Sequence, residues 1–301
     1  MNRHRLHWII TEREKGMLIR EFLLQKALLS NRLLIKAKQA EGAILVNGVE
    51  KTVRYQLKAE DELTVIFPPE EVSAYLIAEN KPLDIVYEDD ALLIVNKPAN
   101  LPTMPSRTHS SGTLANRIIG YYQKHHLPFT VHVVTRLDKD TSGLVLIAKH
   151  QYSHSFLSFM QKKNQIMRFY EAIVHGEMER TEDIIDAPIG RHPESIIERM
   201  VTASGQEART FYQVKKRDEN KTFVHVQLET GRTHQIRVHL SYLGHPLLGD
   251  TLYGGKQDEI VRQALHCNEI RFTHPFTNDV LHFTAPMPRD MQVVLSDSQN
   301  K

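Results

Sequence analysis

Apolar residues recur at helical spacing over residues 16–29, where Leu18, Ile19, Phe22, Leu23 and Ala27 share a face. Ser30 stands where an N-cap would open a second helix running to Ala40, with Gly42 as its stop. The pattern then turns β-rich over Ala43–Val46 and meets Asn47-Gly48. That pair suits a type I′ hairpin turn, which needs positive φ at both positions. A further strand is predicted over 61–67. The period is lost from Pro68-Pro69 to Lys81-Pro82, an acidic, proline-bearing stretch. Residues 71–82 therefore read as a linker between a small α/β unit (1–70) and a larger one (83–295), with 296–301 as a frayed end.

The larger unit opens as strand, acidic turn and strand over 83–97, and short helices are predicted over 113–122 and 153–161. Hairpins mixed with scattered helices indicate an α+β fold rather than regular βαβ alternation. Over 132–149 two apolar runs flank Arg136-Leu137-Asp138-Lys139-Asp140-Thr141-Ser142. Such a loop is either a site carried on rigid strands or a well-capped turn. From Gln235 the residues alternate strictly, which predicts a strand with Ile236, Val238 and Leu240 on one face and Gln235, Arg237 and His239 on the other. If the apolar set meets the core, Arg237 faces a cleft and can hold a carboxylate by two parallel hydrogen bonds. The other reading is an exposed surface strand.

Composition narrows the class. With 301 residues, 41% hydrophobic and 25% charged, the chain can bury a sizeable core and is of two-domain length. The single cysteine, Cys267, leaves no internal disulfide framework or cysteine zinc site and suits a reducing compartment. No apolar run approaches membrane-spanning length and the first 20 residues do not read as a signal peptide, so a soluble cytoplasmic protein is expected. The net charge of +2 is uninformative as it stands. Residues 3–58 carry 12 Lys and Arg against 5 Asp and Glu, whereas 59–100 carry 2 against 10. The N-terminal unit is thus strongly basic. Arg32 and Lys36, four apart on the second helix, with Lys38 nearby, form either a phosphate-facing patch or a solvated face. The chain has no nucleotide-phosphate loop. His234 and His239 fall on opposite strand faces, so no shared metal is expected, and most of the 17 histidines read as surface or hydrogen-bonding residues.

The run from Ser30-Asn31-Arg32 to Ala40-Glu-Gly-Ala-Ile-Leu-Val-Asn-Gly48, followed by Tyr55-Gln-Leu and Glu60-Asp-Glu-Leu63, resembles the S4 RNA-binding domain. That resemblance implies RNA contact through the helix pair and hairpin, with Arg32, Lys36 and Lys38 as candidates. Four later segments, Arg136-Leu-Asp-…-Thr141-Ser-Gly, Thr230-Gly-Arg-Thr-His-Gln-Ile-Arg-Val-His239, Gly244-His-Pro-Leu-…-Gly249-Asp-…-Tyr253-Gly and Arg262-Gln-Ala-Leu-His266, together resemble the RluA/RluD-type pseudouridine synthases. The likeness covers roughly 83–292 and implies a mixed, largely antiparallel sheet and isomerisation of uridine in RNA, with that of the large ribosomal subunit as the expected substrate, acting as a monomer without cofactor or metal. It makes Asp138 the catalytic aspartate, Arg237 its arginine partner and Tyr170 the residue that stacks on the target base and serves as proton acceptor. Leu265 becomes an apolar wall and Arg136 the filler of the space left by the extruded base. Thr135 stands where the family usually has His, which is read as tuning the RNA contact. The segment 99–105 also departs from the family pattern. Two alternatives stay open: a transfer RNA synthase of the same family, and a non-catalytic RNA-binding ribosome-assembly factor. A hydrolase using Asp138 and Asp140 is disfavoured, since two carboxylates so close in one loop have no reason to flank a substrate.

Overall fold

The computed structural model describes residues 4–39, 41–70, 76–106, 110–218 and 220–296. Ala40, most of the expected frayed end and residues 71–75 of the expected linker lie outside the described residues.

The N-terminal unit comprises β1 (Arg5–Ile9), α1 (Ile19–Gln25), α2 (Asn31–Ala37), β2 (Ala43–Val46), β3 (Val49–Glu50) and β4 (Glu62–Ile66). Its strands form one antiparallel sheet in the order β1-β4-β2-β3. Ser30 caps α2 as expected, its Oγ accepting the Leu33 N–H at 3.2 Å. The β2–β3 turn has φ of 51° at Asn47 and 78° at Gly48. The stop after α2 works differently from the expectation. Glu41 takes the left-handed conformation, and Gly42 is needed because a Cβ there would lie 2.7 Å from the Ala37 carbonyl oxygen. One face of both helices packs on the sheet through Ile19, Phe22, Leu23, Leu33, Leu34, Ile44, Val46, Leu63 and Val65.

The larger unit comprises β5 (Ile85–Glu88), β6 (Leu92–Lys97), α3 (Leu114–Lys124), β7 (His132–Val133), β8 (Ser142–Ala148), α4 (Gln151–Lys162), β9 (Met167–His175), β10 (Glu182–Asp186), β11 (Ile189–Arg191), β12 (Arg199–Val201), β13 (Arg209–Asp218), β14 (Lys221–Leu228), α5 (Gln235–Tyr242), β15 (Leu265–Thr273), β16 (Val280–Thr284) and α6 (Arg289–Ser296). The main sheet runs β10-β13-β14-β9-β15-β8-β6-β5, with β16 added beside β15 and β7 beside β8. Its pairs are antiparallel except β15–β8, which is parallel, so the α+β, largely antiparallel expectation holds. β8 is buried at all of its positions, as its unbroken apolar run implies. Where it enters the sheet, Gly143 (φ +116°) presses on β15, and a Cβ there would lie 2.3 Å from the Cys267 carbonyl oxygen. This close approach brings the loop before β8 against the start of β15. Residues 76–82 run along α3: Glu79 N–H donates to Asn116 O at 3.0 Å and Asn116 Nδ2 donates to Ile77 O at 2.7 Å. Among the described residues no helix is long and apolar enough to cross a membrane.

The expected strand over 235–240 is the helix α5. Ile236 and Leu240, four apart, enter the main core, while Val238 packs separately with Ile189 and Ala208. The apolar residues therefore do not share a strand face. Nor are the intervening polar residues exposed: Gln235, Arg237 and His239 are buried. His239 Nδ1 meets Thr210 Oγ1 at 2.8 Å and its Nε2 meets Ala187 O at 2.9 Å, which satisfies both ring nitrogens inside the protein.

Several histidines are interior as well and take the hydrogen-bonding rather than the surface role: His150 Nδ1 accepts the Ser153 N–H at 3.2 Å and His266 Nδ1 meets Ser142 Oγ at 2.9 Å. His4 of the N-terminal unit stacks on His150 with ring centroids 3.8 Å apart. Burial pushes the His150 imidazole down to about 2 and that of His266, in β15, down to about 4. Both are neutral when folded, whereas an imidazole in the unfolded chain takes up its proton near pH ~6.5. Below that pH the unfolded state binds more protons, so stability falls as pH drops, by up to about 1.4 kcal/mol per pH unit for each histidine. Denaturant melts between about pH 7 and 5 should show this slope. A flat profile would contradict two buried neutral imidazoles.

Candidate active site

The loop before β8 is clamped from the segment that follows β6. Thr103 Oγ1 donates to Leu137 O at 2.7 Å and accepts the Leu137 N–H at 3.3 Å. Lys97 Nζ, fully inside the protein, donates to Pro98 O and Leu101 O at 2.9 Å and to Lys139 O at 3.0 Å. Burial pushes this ammonium down to about 7, against the pull of Asp138 and Asp140. The departing segment 99–105 is thus a splint for the loop. Arg262 Nη1 adds a bond to Asp140 O at 3.3 Å. Backbone atoms on both sides of Asp138 are fixed while its side chain stays 30% exposed.

Arg237 reaches that side chain from the first turn of α5. Its Nη1 donates to Asp138 Oδ2 at 3.0 Å. The two parallel bonds expected of it go elsewhere: Nε and Nη2 each donate at 2.7 Å to the two oxygens of Asp250, a buried carboxylate. One guanidinium therefore serves two carboxylates. Asp250 fixes its plane, and the remaining donor is presented to Asp138. Burial works against the Arg237 charge, but the bonds and charges of Asp250, and then of Asp138, outweigh it and raise the pKa above the usual guanidinium value.

Beside this pair lies a cavity of about 70 Å³, lined by Arg136, Asp138, Arg168, Tyr170, Leu228, Gly231, His234, Arg237 and Leu265. Tyr170 comes from the middle of β9 and Leu265 from the start of β15, a strand paired with β9. Burial pushes the pKa of the Tyr170 hydroxyl well above the usual phenol value. It stays protonated at neutral pH, which suits a stacking wall better than a proton acceptor. Arg168, two residues earlier on the same strand, donates to Thr230 O at 3.3 Å. A Cβ at Gly231 would lie 3.0 Å from its guanidinium, so the glycine makes room for a buried cation at the cavity.

The fold thus gathers Asp138, Tyr170, Arg237 and Leu265 around one cavity, with Arg136 exposed at its edge. Arg32, Lys36 and Lys38 lie on the N-terminal unit, Arg32 and Lys38 exposed. Lys36 lines a larger cavity of about 1420 Å³ between the units, which contains none of the four residues above. Thr135 does not face the substrate side. It is 2% exposed, donates its N–H to Leu146 O at 3.2 Å and accepts the Leu146 N–H on Oγ1 at 2.9 Å. It fastens the loop to β8 and is turned away from the surface. Two side chains here have no role in the sequence reading: Asp250, marked only by its place in a glycine-rich loop, shares Arg237 with Asp138, and His234, considered there only as half of a rejected metal pair, places Nε2 3.8 Å from Asp138 Oδ2.

The chain has known relatives. A model of the RNA pseudouridylate synthase family matches residues 91–242. The uncharacterised RNA pseudouridine synthase YjbO of Bacillus subtilis (strain 168) is 53% identical over 267 residues, 89% of this chain and 94% of its own. The ribosomal large subunit pseudouridine synthase D of Vibrio parahaemolyticus serotype O3:K6 (strain RIMD 2210633) is 38% identical over 276 residues, 87% of this chain and 84% of its own. Among solved structures, human RNA pseudouridylate synthase domain containing 1 superposes with a TM-score of 0.58 at 22% identity, covering 74% of this chain and 97% of that one, which reflects a shared fold.

Proposed function

The chain belongs to the RNA pseudouridylate synthase family, a family of isomerases, and from that premise we propose that it converts uridine to pseudouridine in large-subunit ribosomal RNA with Asp138 as the catalytic carboxylate. The observation that carries the assignment of Asp138 is its pairing with Arg237 at the edge of a cavity walled by Tyr170 and Leu265. The reaction breaks the N1–C1′ bond, turns the uracil and rejoins it through C5. A carboxylate held by a fixed guanidinium can attack or stabilise charge at the sugar or the base. The detached uracil has to be retained, which a buried phenol ring and a leucine do by contact and by excluding water. The target base must first leave its stack, and Arg136, exposed at the cavity edge, then fills the gap in this reading. Support for the ribosomal substrate comes from the Vibrio relative's name. Action on that RNA puts the work in the cytoplasm. Within this reading the chain acts as a monomer.

The test is to map pseudouridine by carbodiimide-dependent stops in RNA from cells with and without the protein. At least one large-subunit site should vanish in the deletion, return with the wild-type gene and stay absent with Asp138→Ala. Loss confined to transfer RNA would move the substrate, and no loss anywhere would overturn the activity.

Within the same proposal, the N-terminal unit, an S4-like domain spanning 1–70, supplies phosphate affinity. Arg32→Glu/Lys36→Glu should weaken RNA binding across sequences and lower the slope of log affinity against log salt by about two. Filter binding at several salt concentrations measures both. An unchanged slope would take this helix out of the interface.

A further inference from the structure

Breaking the N1–C1′ bond sends its electron pair away with N1. The detached uracil is then a monoanion, with the charge shared by N1 and the oxygens O2 and O4. The same pair, moved from N1 through C6, forms the new bond from C5 to C1′. Loss of the C5 proton and protonation of N1 complete the isomer, so no atom is gained or lost. The charge on the ring is greatest while the uracil turns. A donor that meets it there lowers the barrier and retains the base, provided that it is fixed beforehand and shielded from water. Arg237 is not that donor, since its bonds go to Asp250 and Asp138.

Building on the isomerase reading above, we propose that Arg168 donates to a carbonyl oxygen of the detached uracil and holds its charge. Arg168 is 7% exposed and lines the cavity together with Tyr170, which follows it by two residues in β9 and so shares its face of the strand. Among the described residues its guanidinium makes a single hydrogen bond, the 3.3 Å contact from Nη2 to Thr230 O, and its Nε is buried without a partner. No counter-charge stands beside it. Asp138 pairs with Arg237. The Tyr170 phenol and the Cys267 thiol, which feel the Arg168 charge, are both pushed up by burial, the thiol to about 12, and both stay protonated. A buried cation with spare donors and no anion is costly to a fold. The chain nevertheless makes room for it at Gly231, where a Cβ would lie 3.0 Å from both Nη1 and Nη2. The uracil anion supplies the missing charge: its ring rests on Tyr170 and Leu265, and an oxygen accepts from the guanidinium in a charge-assisted bond that is absent until the base carries its charge.

The experiment uses an RNA on which the wild-type protein forms pseudouridine, prepared with uridine, 2-thiouridine or 4-thiouridine at the target. Failure of the isomerase reading thus shows before any variant is compared. In Arg168→Met, kcat should fall by about 10²-fold or more, with KM within about threefold of wild type because the bond strengthens only after the base has detached. The variant should melt at no lower denaturant than wild type, since an uncompensated buried charge has gone. Sulfur is a weak hydrogen-bond acceptor, so one of the two thio substitutions should slow the wild-type protein and leave the rate of the variant unchanged. Arg168→Gln carries the same comparison if the methionine variant folds poorly. Equal thio effects in wild type and variant would overturn the proposal whatever the melt shows, leaving Arg168 as a packing residue beside Tyr170. An undiminished kcat would overturn it outright.

Discussion

Replacing Asp138 with asparagine is expected to reduce pseudouridine formation on the order of 10⁴-fold or more while leaving the fold intact. The first half follows from chemistry, since the amide that replaces the carboxylate neither attacks carbon nor carries charge. The second half follows from how Arg237 is shared. Its two 2.7 Å bonds to Asp250 survive the change, and the new amide oxygen still accepts from Nη1, so no buried charge is orphaned. The side chain being replaced is 30% exposed, and the stability change should stay under about 1 kcal/mol. Release of the C5 hydrogen from labelled RNA reads the activity and a denaturant melt reads the fold. A folded variant with near wild-type turnover would remove this carboxylate from the chemistry.

Parts of the structure governed by local physics were legible in the sequence. Ser30 caps a helix, Asn47-Gly48 turns a hairpin, and the unbroken apolar run of β8 lies in the middle of the sheet. What failed to show was settled by distant partners. Alternation over 235–240 records which residues are polar, not which are buried. Gln235 bonds to the Arg209 carbonyl and Thr210, and His239 bonds to Thr210 and the Ala187 carbonyl, so polar residues go inside and the segment coils as α5. The same cause hid Asp250. Its loop is shaped by Gly249 (φ +75°), where a Cβ would lie 1.9 Å from the Arg262 carbonyl oxygen, and nothing local says that the next side chain will meet Arg237. Thr135 looked like a change on the substrate side because its neighbours in sequence belong to the site, whereas its hydroxyl is held against β8 by the Leu146 N–H. The choice of Asp138 over Asp140 came from family resemblance. The structure gives it a physical basis, since Asp138 receives the free donor of Arg237 while Asp140 contributes its carbonyl to Arg262.

Asp250 carries the opposite expectation from Asp138, although both carboxylates hold the same guanidinium. Asp250→Ala removes the buried partner and leaves Arg237 inside the protein with a single bond to a part-exposed carboxylate. Breaking a buried ion pair from one side costs about 3–5 kcal/mol, because the remaining charge is desolvated without compensation. The variant should therefore melt at markedly lower denaturant. Its folded fraction should also turn over at least about 10-fold more slowly, because nothing then sets the plane from which Nη1 reaches Asp138. Asp250→Asn retains one acceptor oxygen and should fall between wild type and Asp250→Ala in both measurements. The decisive comparison is Arg237→Met/Asp250→Leu, which takes away both charges and leaves none buried. That double variant should regain most of the stability lost in Asp250→Ala and remain inactive, since Asp138 then has no guanidinium. If it is no more stable than Asp250→Ala, the lost stability reflects packing around α5 rather than an orphaned charge. If it is active, Asp138 performs the reaction without Arg237.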